Sequence, residues 1–99
     1  MSNSTFNVSP FRPIETKLVL QSSTQVDISF SSAWATSITA DLWSEEGAAY
    51  SESKTTTTDG QNDSALSFTG FPPDQNLICR ITVTGEEGSE NSVSVSINW

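Results

Sequence analysis

Apolar and polar residues alternate with a period of two along most of the chain. Residues 93–99 are typical, since Val, Ile and Trp alternate there with Ser and Asn. Such alternation is the pattern of a strand that buries one face and exposes the other, whereas no segment keeps a 3.6-residue apolar stripe over the roughly ten residues of a helix. The sequence therefore predicts an all-β chain.

The alternating segments predict seven short strands. They lie around residues 17–21, 26–30, 38–43, 49–58, 66–68, 77–83 and 93–99. The Ser- and Thr-rich segment 49–58 is expected to be an edge strand that runs into a loop. Seven strands at this spacing favour a two-sheet antiparallel sandwich.

The predicted core contains the apolar residues that share a phase within each segment. These residues are Leu18, Leu20, Ile28, Phe30, Ile38, Leu42, Leu66, Phe68, Leu77, Ile81, Val83, Val95 and Ile97. Cys79 is in phase with Leu77 and Ile81, so we expect a buried free thiol that behaves as a small hydrophobe.

The pattern of turns and strands resembles that of a fibronectin type III domain. Residues 66–83, Leu-Ser-Phe-Thr-Gly-Phe-Pro-Pro-Asp-Gln-Asn-Leu-Ile-Cys-Arg-Ile-Thr-Val, are similar to its E strand, E–F turn and F strand. Residues 85–99 resemble the F–G loop and G strand, residues 38–46 strand C, and residues 26–30 strand B. The resemblance implies a fibronectin type III-like or immunoglobulin-like sandwich used for adhesion, display or spacing, and it brings no catalytic residues with it.

Length and charge narrow the organisation and the partners. The 99 residues suit one domain, which we place at residues 14–99, after an extended or flexible N-terminal arm at residues 1–13. Four Lys and Arg against twelve Asp and Glu give a net charge of -8. Because such a chain repels phosphate backbones and anionic lipid, nucleic acid and membrane insertion are poor candidates.

The residues that enzymes and metal sites need are scarce. The chain has no His and one Cys, so the usual general base, thiolate pair and zinc ligands are missing. Residues 59–64, Asp-Gly-Gln-Asn-Asp-Ser, suggest a calcium loop but lack its alternating acidic order and downstream Glu, which favours a plain hairpin loop. The sequence predicts a non-enzyme with no metal and no cofactor.

Three aromatic residues are candidates for binding a partner. Trp43 is out of phase with the core residues of its strand, so we expect it on the outer face of its sheet. Beside Tyr50 on the next strand it could form an aromatic patch, or it could cover the sheet alone. Trp34 lies in a polar loop, either as a platform for a sugar or protein partner or as a lid over the core.

The arm at residues 1–13 is a second candidate contact. Pro10 and Pro13 exclude a helix there, and Phe6 and Val8 share one face of an extended segment. The arm could pair with an edge strand of a neighbouring copy, or it could lie over the base of its own sandwich.

These observations leave three classes of function. The first is a structural or interaction module of the adhesion, surface-display or virion-decoration type, which could associate with itself through the arm or an edge strand. The second is a carbohydrate-binding module, and the third is a small acidic inhibitor of another protein. No signal peptide is visible, so the chain is expected either to stay in the cytoplasm or a virion, or to come from a larger extracellular protein.

Overall fold

The computed structural model describes residues 2–10, 12–20, 24–32, 35–45, 50–59, 63–71, 76–84 and 92–99. These residues form eight strands and no helix: β1 (Asn3–Val8), β2 (Ile14–Val19), β3 (Gln25–Ser31), β4 (Ala35–Ser44), β5 (Ser51–Asp59), β6 (Ser64–Thr69), β7 (Asn76–Val83) and β8 (Val93–Asn98). The described part of the chain has no helix long and apolar enough to cross a membrane.

The strands form two antiparallel sheets that pack as a sandwich. Sheet I has the order β1-β8-β3-β6 and sheet II the order β2-β7-β4-β5. The all-β sandwich is confirmed, with eight strands rather than seven. Strands pair from the ends inward, β1 with β8, β2 with β7, β3 with β6 and β4 with β5, as if one long hairpin had been folded over itself. This connectivity is that of an eight-stranded jelly roll.

The strand order differs from the one that the fibronectin type III resemblance implies. In immunoglobulin-like sandwiches, strand G belongs to the sheet that contains strands C and F. Here β8, the strand expected to be G, pairs with β1 and β3 in sheet I, while β7 pairs with β2 and β4 in sheet II. Alternation defines strands but does not choose their neighbours, so the sequence pattern fits both connectivities.

The additional strand comes from the segment expected to be an arm. Residues 3–8 form β1 and pair with β8, from Asn3 opposite Asn98 to Val8 opposite Val93. Val8 is fully buried and Phe6 packs against the core. Residues 3–8 are therefore part of the sandwich, and the two apolar side chains proposed as arm contacts face its interior.

The core lies between the two sheets. Every predicted core residue is buried except Leu66 of β6, which is partly buried and packs against the core. Cys79 is buried and free, as predicted. The core also includes residues that were not among the predicted core residues: Val8, Val26, Ala40, Phe71 and Val93.

The C-terminal residue links the sheets at one end of the sandwich. Ser2 and Trp99 exchange two main-chain hydrogen bonds, of 2.7 Å from the Ser2 nitrogen and 3.0 Å from the Trp99 nitrogen. The Trp99 indole Nε1 then donates to the carbonyl of Val19 on β2, at 3.1 Å. Sheet I is thus fastened to an edge of sheet II by a side chain.

Candidate functional site

The outer face of sheet II carries Trp43. In the register of this sheet, Trp43 lies opposite Ile78 on β7, and Ile78 lies opposite Lys17 on β2. Trp43 and Ile78 are partly exposed, whereas their neighbours Leu42 and Leu77 are buried. The predicted outward orientation of Trp43 agrees with this placement, since side chains alternate between the two faces of a strand.

A guanidinium group lies against the Trp43 ring. The Arg80 Cζ atom is 5.4 Å from the ring centroid, within the range of a cation–π contact. Arg80 also donates from Nε at 3.2 Å and from Nη2 at 2.9 Å to the same Glu15 oxygen, Oε2. Glu15 thus helps to hold the cation over the indole.

A second ion pair borders the same region. The Lys17 Nζ atom is 3.1 Å from Glu45 Oε1, and Asn76 Nδ2 donates to Glu45 Oε2 at 3.3 Å. These two hydrogen bonds, the Lys17 one foremost, lower the pKa of Glu45. Val19 lies diagonal to Ile78 and is 51% exposed, which makes it the exposed large hydrophobic residue of the described chain.

We call Trp43, Ile78 and Val19, with the bordering Lys17 and Arg80, the Trp43 patch. Its centre is apolar and its border carries charge held in ion pairs. Sequence reasoning found Trp43 and missed the other four residues. The signal was present, because Lys17, Val19 and Ile78 each alternate with core residues and must therefore face outward.

Tyr50 lies on the other side of sheet II. The Ser44 nitrogen donates to the Tyr50 carbonyl at 3.0 Å, which places Tyr50 opposite the buried Ser44 and in the phase opposite to Trp43. Its ring packs edge-on against Phe71, with centroids 5.7 Å apart. The expected patch of Trp43 and Tyr50 is therefore not formed, because the connection between β4 and β5 puts Ser51 opposite Trp43.

Tyr50 is held by its hydroxyl as well as by its ring. The hydroxyl donates to Glu52 Oε2 at 2.6 Å. Burial, followed by this hydrogen bond, raises the pKa of Tyr50 above its ordinary value. Tyr50 thus closes the inner side of the sheet and is not offered to a partner on the outer face.

Two of the remaining candidates fall wholly or partly outside the described residues. Trp34 does so, as do residues 60–62 of the loop that resembled a calcium site. Within the ranges that the structure describes, no group of three or more His, Cys, Asp or Glu side chains is placed to hold a metal ion.

Cys79, the one thiol, faces the core. Burial, followed by the charge of Asp41, raises its pKa to about 12. A thiol at this pKa is protonated at neutral pH, and the thiolate is the reactive form. Cys79 therefore acts as a packing residue.

The outer face of sheet I has a different composition. Its described outward-facing residues are Asn3, Thr5, Asn7, Gln25, Asp27, Ser29, Ser31, Ala65, Ser67, Thr69, Ser94, Ser96 and Asn98. Asp27 accepts hydrogen bonds from Ser67 Oγ at 2.6 Å and Gln25 Nε2 at 2.7 Å, and these lower its pKa. This face presents small polar side chains where sheet II presents an indole.

Comparison with known proteins gives no family for the chain. No protein-family model matches its sequence, and no curated protein matches it. The surfaces of the sandwich are the remaining guide to function.

Proposed function

We propose that this protein is a non-catalytic interaction module that binds a protein partner through the Trp43 patch. The supporting observation is the contrast between the two outer faces, since large apolar side chains lie on sheet II and small polar ones on sheet I. Trp and Arg dominate the residues that contribute most to protein–protein binding, and such residues lie in an apolar centre with a polar rim. The arrangement of Trp43 and Arg80 has these properties.

The charges of the patch favour a partner that offers an acidic group beside an apolar one. Lys17 and Arg80 are two of the four cationic residues in a chain of net charge -8. Their ion pairs with Glu45 and Glu15 are exposed, so a carboxylate of a partner can compete for either cation at modest cost. We expect the partner to insert an apolar side chain near Trp43 and Ile78.

A glycan is the less favoured partner. A sugar ring stacks on a free aromatic face, and here the Arg80 guanidinium lies over Trp43. Tyr50 faces the core and does not supply a second aromatic ring beside it. The patch therefore suits a protein segment better than a pyranose.

An inhibitor that acts through clustered carboxylates is also less favoured. On the described outer face of sheet II, Glu15 and Glu45 form ion pairs with Arg80 and Lys17, and Asp41 lies opposite Arg80 in the register. The setting we propose is adhesion, surface display or virion decoration, in which a compact β-sandwich presents a binding face. Jelly rolls serve in capsids and lectins alike, so the fold by itself does not choose among these settings.

The proposal is tested by selecting binders and then removing the indole. A random peptide library displayed on phage is panned against the immobilised protein, and the affinity of each selected peptide is measured by calorimetry. Trp43→Ala should weaken binding by roughly tenfold or more, the range of a central interface residue. Ser29→Ala, on the outer face of sheet I, is the matched control and should leave affinity unchanged.

Two results would contradict the proposal. One is a set of peptides whose affinity is the same for Trp43→Ala and the native chain. The other is binding on a glycan array that is lost in Trp43→Ala, which would indicate that the Trp43 patch binds carbohydrate. Circular dichroism of each variant shows that the fold is retained.

A further inference from the structure

The sandwich has four edge strands, which differ in whether side chains cover their unpaired main-chain groups. β1 and β6 are the edges of sheet I, and β2 and β5 those of sheet II. An edge strand presents unpaired N–H and C=O groups that can pair with another chain, so proteins usually cover or charge such edges.

The facing edges β5 and β6 cover each other with side chains. Lys54 of β5 donates from Nζ to the Ser67 carbonyl of β6 at 2.6 Å. Ser64 of β6 donates from Oγ to the Thr57 carbonyl of β5 at 2.5 Å. On each of these two strands, one main-chain carbonyl accepts a hydrogen bond from a side chain of the other sheet. β5 also carries the charged residues Glu52 and Lys54.

The β2 edge is covered in a similar way. The Trp99 indole donates to the Val19 carbonyl, which lies on this strand. β2 also carries Glu15 and Lys17 on its exposed side. Charged side chains, Lys above all, discourage an incoming strand.

β1 differs from the other three edges. Its sequence, Asn-Ser-Thr-Phe-Asn-Val, contains no charge, Pro or Gly, which is also true of β6 but not of β2 or β5. Unlike β6, β1 has no side-chain bonds from a facing edge among the described residues. The Ser2–Trp99 pair exchanges both main-chain bonds, and hydrogen-bonded pairs alternate along an antiparallel ladder. The N–H and C=O groups of Asn3, Thr5 and Asn7 therefore point away from β8, and in the described part of the chain no side chain bonds to them.

The side chains beside this edge are also arranged so that it stays open. The Asn3 amide nitrogen donates to Asn98 Oδ1 at 2.7 Å and to Ser96 Oγ at 3.0 Å, both on β8. These bonds draw Asn3 over the outer face of its own sheet and away from the edge. Asp27, the charged residue of that face within the described ranges, lies two strands further in.

The geometry points to self-association of two copies of this chain through their β1 edges, antiparallel and centred on Thr5. Thr5 then lies opposite Thr5 of the second copy, and Asn3 lies opposite Asn7 of the second copy. These are the residues whose main-chain groups point outward, so each pair exchanges both of its bonds. The two copies of sheet I join into one continuous sheet about a two-fold axis.

Charge and register both favour this partner. Each copy carries a net charge of -8, yet β1 itself is uncharged, so pairing two β1 strands sets no like charges directly opposite each other. A slip by one residue would set Thr5 of one copy opposite Ser4 or Phe6 of the other, whose main-chain groups are bonded to β8, so the ladder between the copies could not form. This association uses a surface remote from the Trp43 patch and does not depend on the proposed function.

The test is the mass of the full chain in solution as a function of concentration. Sedimentation equilibrium of the native protein up to millimolar concentration should show a reversible dimer of the 10.7 kDa chain. Thr5→Lys should raise the dimer dissociation constant by roughly tenfold or more, because like charges then face each other across the axis. Thr57→Lys, an exposed Thr on edge β5, is the matched control and should leave the dimer intact.

A proline variant separates pairing from charge. The Thr5 N–H points to the open edge and not to β8, so Thr5→Pro removes an edge donor while sparing the bonds within the sheet. It should be folded and monomeric. Circular dichroism shows whether Thr5→Pro is folded. Trp43→Ala should dimerise like the native chain, because the β1 edge is separate from the Trp43 patch.

Cross-linking reports the register. An equal mixture of Asn3→Cys and Asn7→Cys chains should oxidise to a mixed dimer, while Asn3→Cys alone should not cross-link. A native chain that stays monomeric at millimolar concentration would overturn the inference, as would equal weakening by Thr5→Lys and Thr57→Lys or cross-linking of Asn3→Cys with itself.

Discussion

The inner and outer faces of sheet II carry similar residue types and use them in opposite ways. On β7, Ile81 is fully buried while Ile78 is partly exposed three residues away. At the β4–β5 end, Tyr50 packs edge-on against Phe71 on the inner side, and Trp43 lies under Arg80 on the outer side. The difference shows that the phase of a residue along its strand, more than its type, decides whether it is buried in the core or exposed on the outer face.

The largest expected effect is the difference in stability loss between substitutions of the two isoleucines, Ile81 and Ile78. Ile81→Ala should lower the free energy of unfolding by about 2–5 kcal/mol, because it leaves a cavity between the sheets. Ile78→Ala should lower it by less than about 1 kcal/mol, since solvent fills the space. Urea denaturation measures both, and equal losses would show that the outer face is as tightly packed as the core.

Alkaline pH should destabilise the folded chain by ionising Tyr50 on the inner face of sheet II. The raised pKa of Tyr50 means that the unfolded chain gives up its phenolic proton near pH 10 while the folded chain holds it. Stability is therefore full below that pH and falls as the pH rises through the folded pKa. Tyr50 is the single tyrosine, so its phenolate absorbance reports one group.

The titration distinguishes a buried Tyr50 from an exposed one. We expect phenolate to appear together with loss of the β-sheet circular dichroism, and Tyr50→Phe to remain folded to higher pH than the native chain. Ionisation at an ordinary pKa in a chain that stays folded would place Tyr50 in solvent.

Thiol labelling compares the two faces on one strand. Cys79, with its pKa raised to about 12 by burial, should react with a disulfide reagent at neutral pH only when the chain opens. A thiol moved to the outer face, in an Ile78→Cys, Cys79→Ser double variant, should react at once. Mass spectrometry counts the label, and fast labelling of the native chain would exclude a buried Cys79.

The smallest effect concerns carboxylates on the two outer faces. The pKa of Glu45 is lowered chiefly by cationic Lys17, whereas that of Asp27 is lowered by the neutral donors Ser67 and Gln25. Molar salt should therefore return the pKa of Glu45 towards its ordinary value and move that of Asp27 less. Carboxyl NMR titrations measure both, and equal shifts would argue against the Lys17 ion pair in solution.

The lowered pKa values of Glu45 and Asp27 also predict how the stability of the folded chain changes with pH. Each carboxylate is stabilised in the folded chain, so its contribution is present above the ordinary pKa and is lost as the pH falls through the folded one. We expect acid to weaken both outer faces in the same window, below about pH 4, the ordinary range of such groups.

The fold class and most of the core follow from the sequence because burial on one face forces a period of two. Residues such as Leu77 and Ile81 are buried for that reason alone. β1 was missed because Phe6 and Val8 are isolated in a polar stretch followed by two prolines, a pattern that an arm shares. The strand order could not be predicted, because it depends on which connections cross between the sheets, and alternation is the same for every order.

The candidate site was only partly predictable for a similar reason. The outward phase of Trp43 is set within β4 and could be counted from the buried Leu42. Its neighbours depend on register across strands, which the sequence does not contain, so Arg80 could not be placed on the Trp43 ring. The orientation of Tyr50 depends on the number of residues between β4 and β5, since a difference of one residue exchanges the two faces.

The bonds between Ser2 and Trp99 also bear on the response of the molecule to force. Because these two residues are paired, chain flanking either end would leave the sandwich at a single corner. Tension applied there would act across the β1–β8 ladder and load one residue pair at a time, so that the strands unzip from that corner. We expect such a domain to yield at low force, which suits a module anchored at one point better than a link that carries tension through its length.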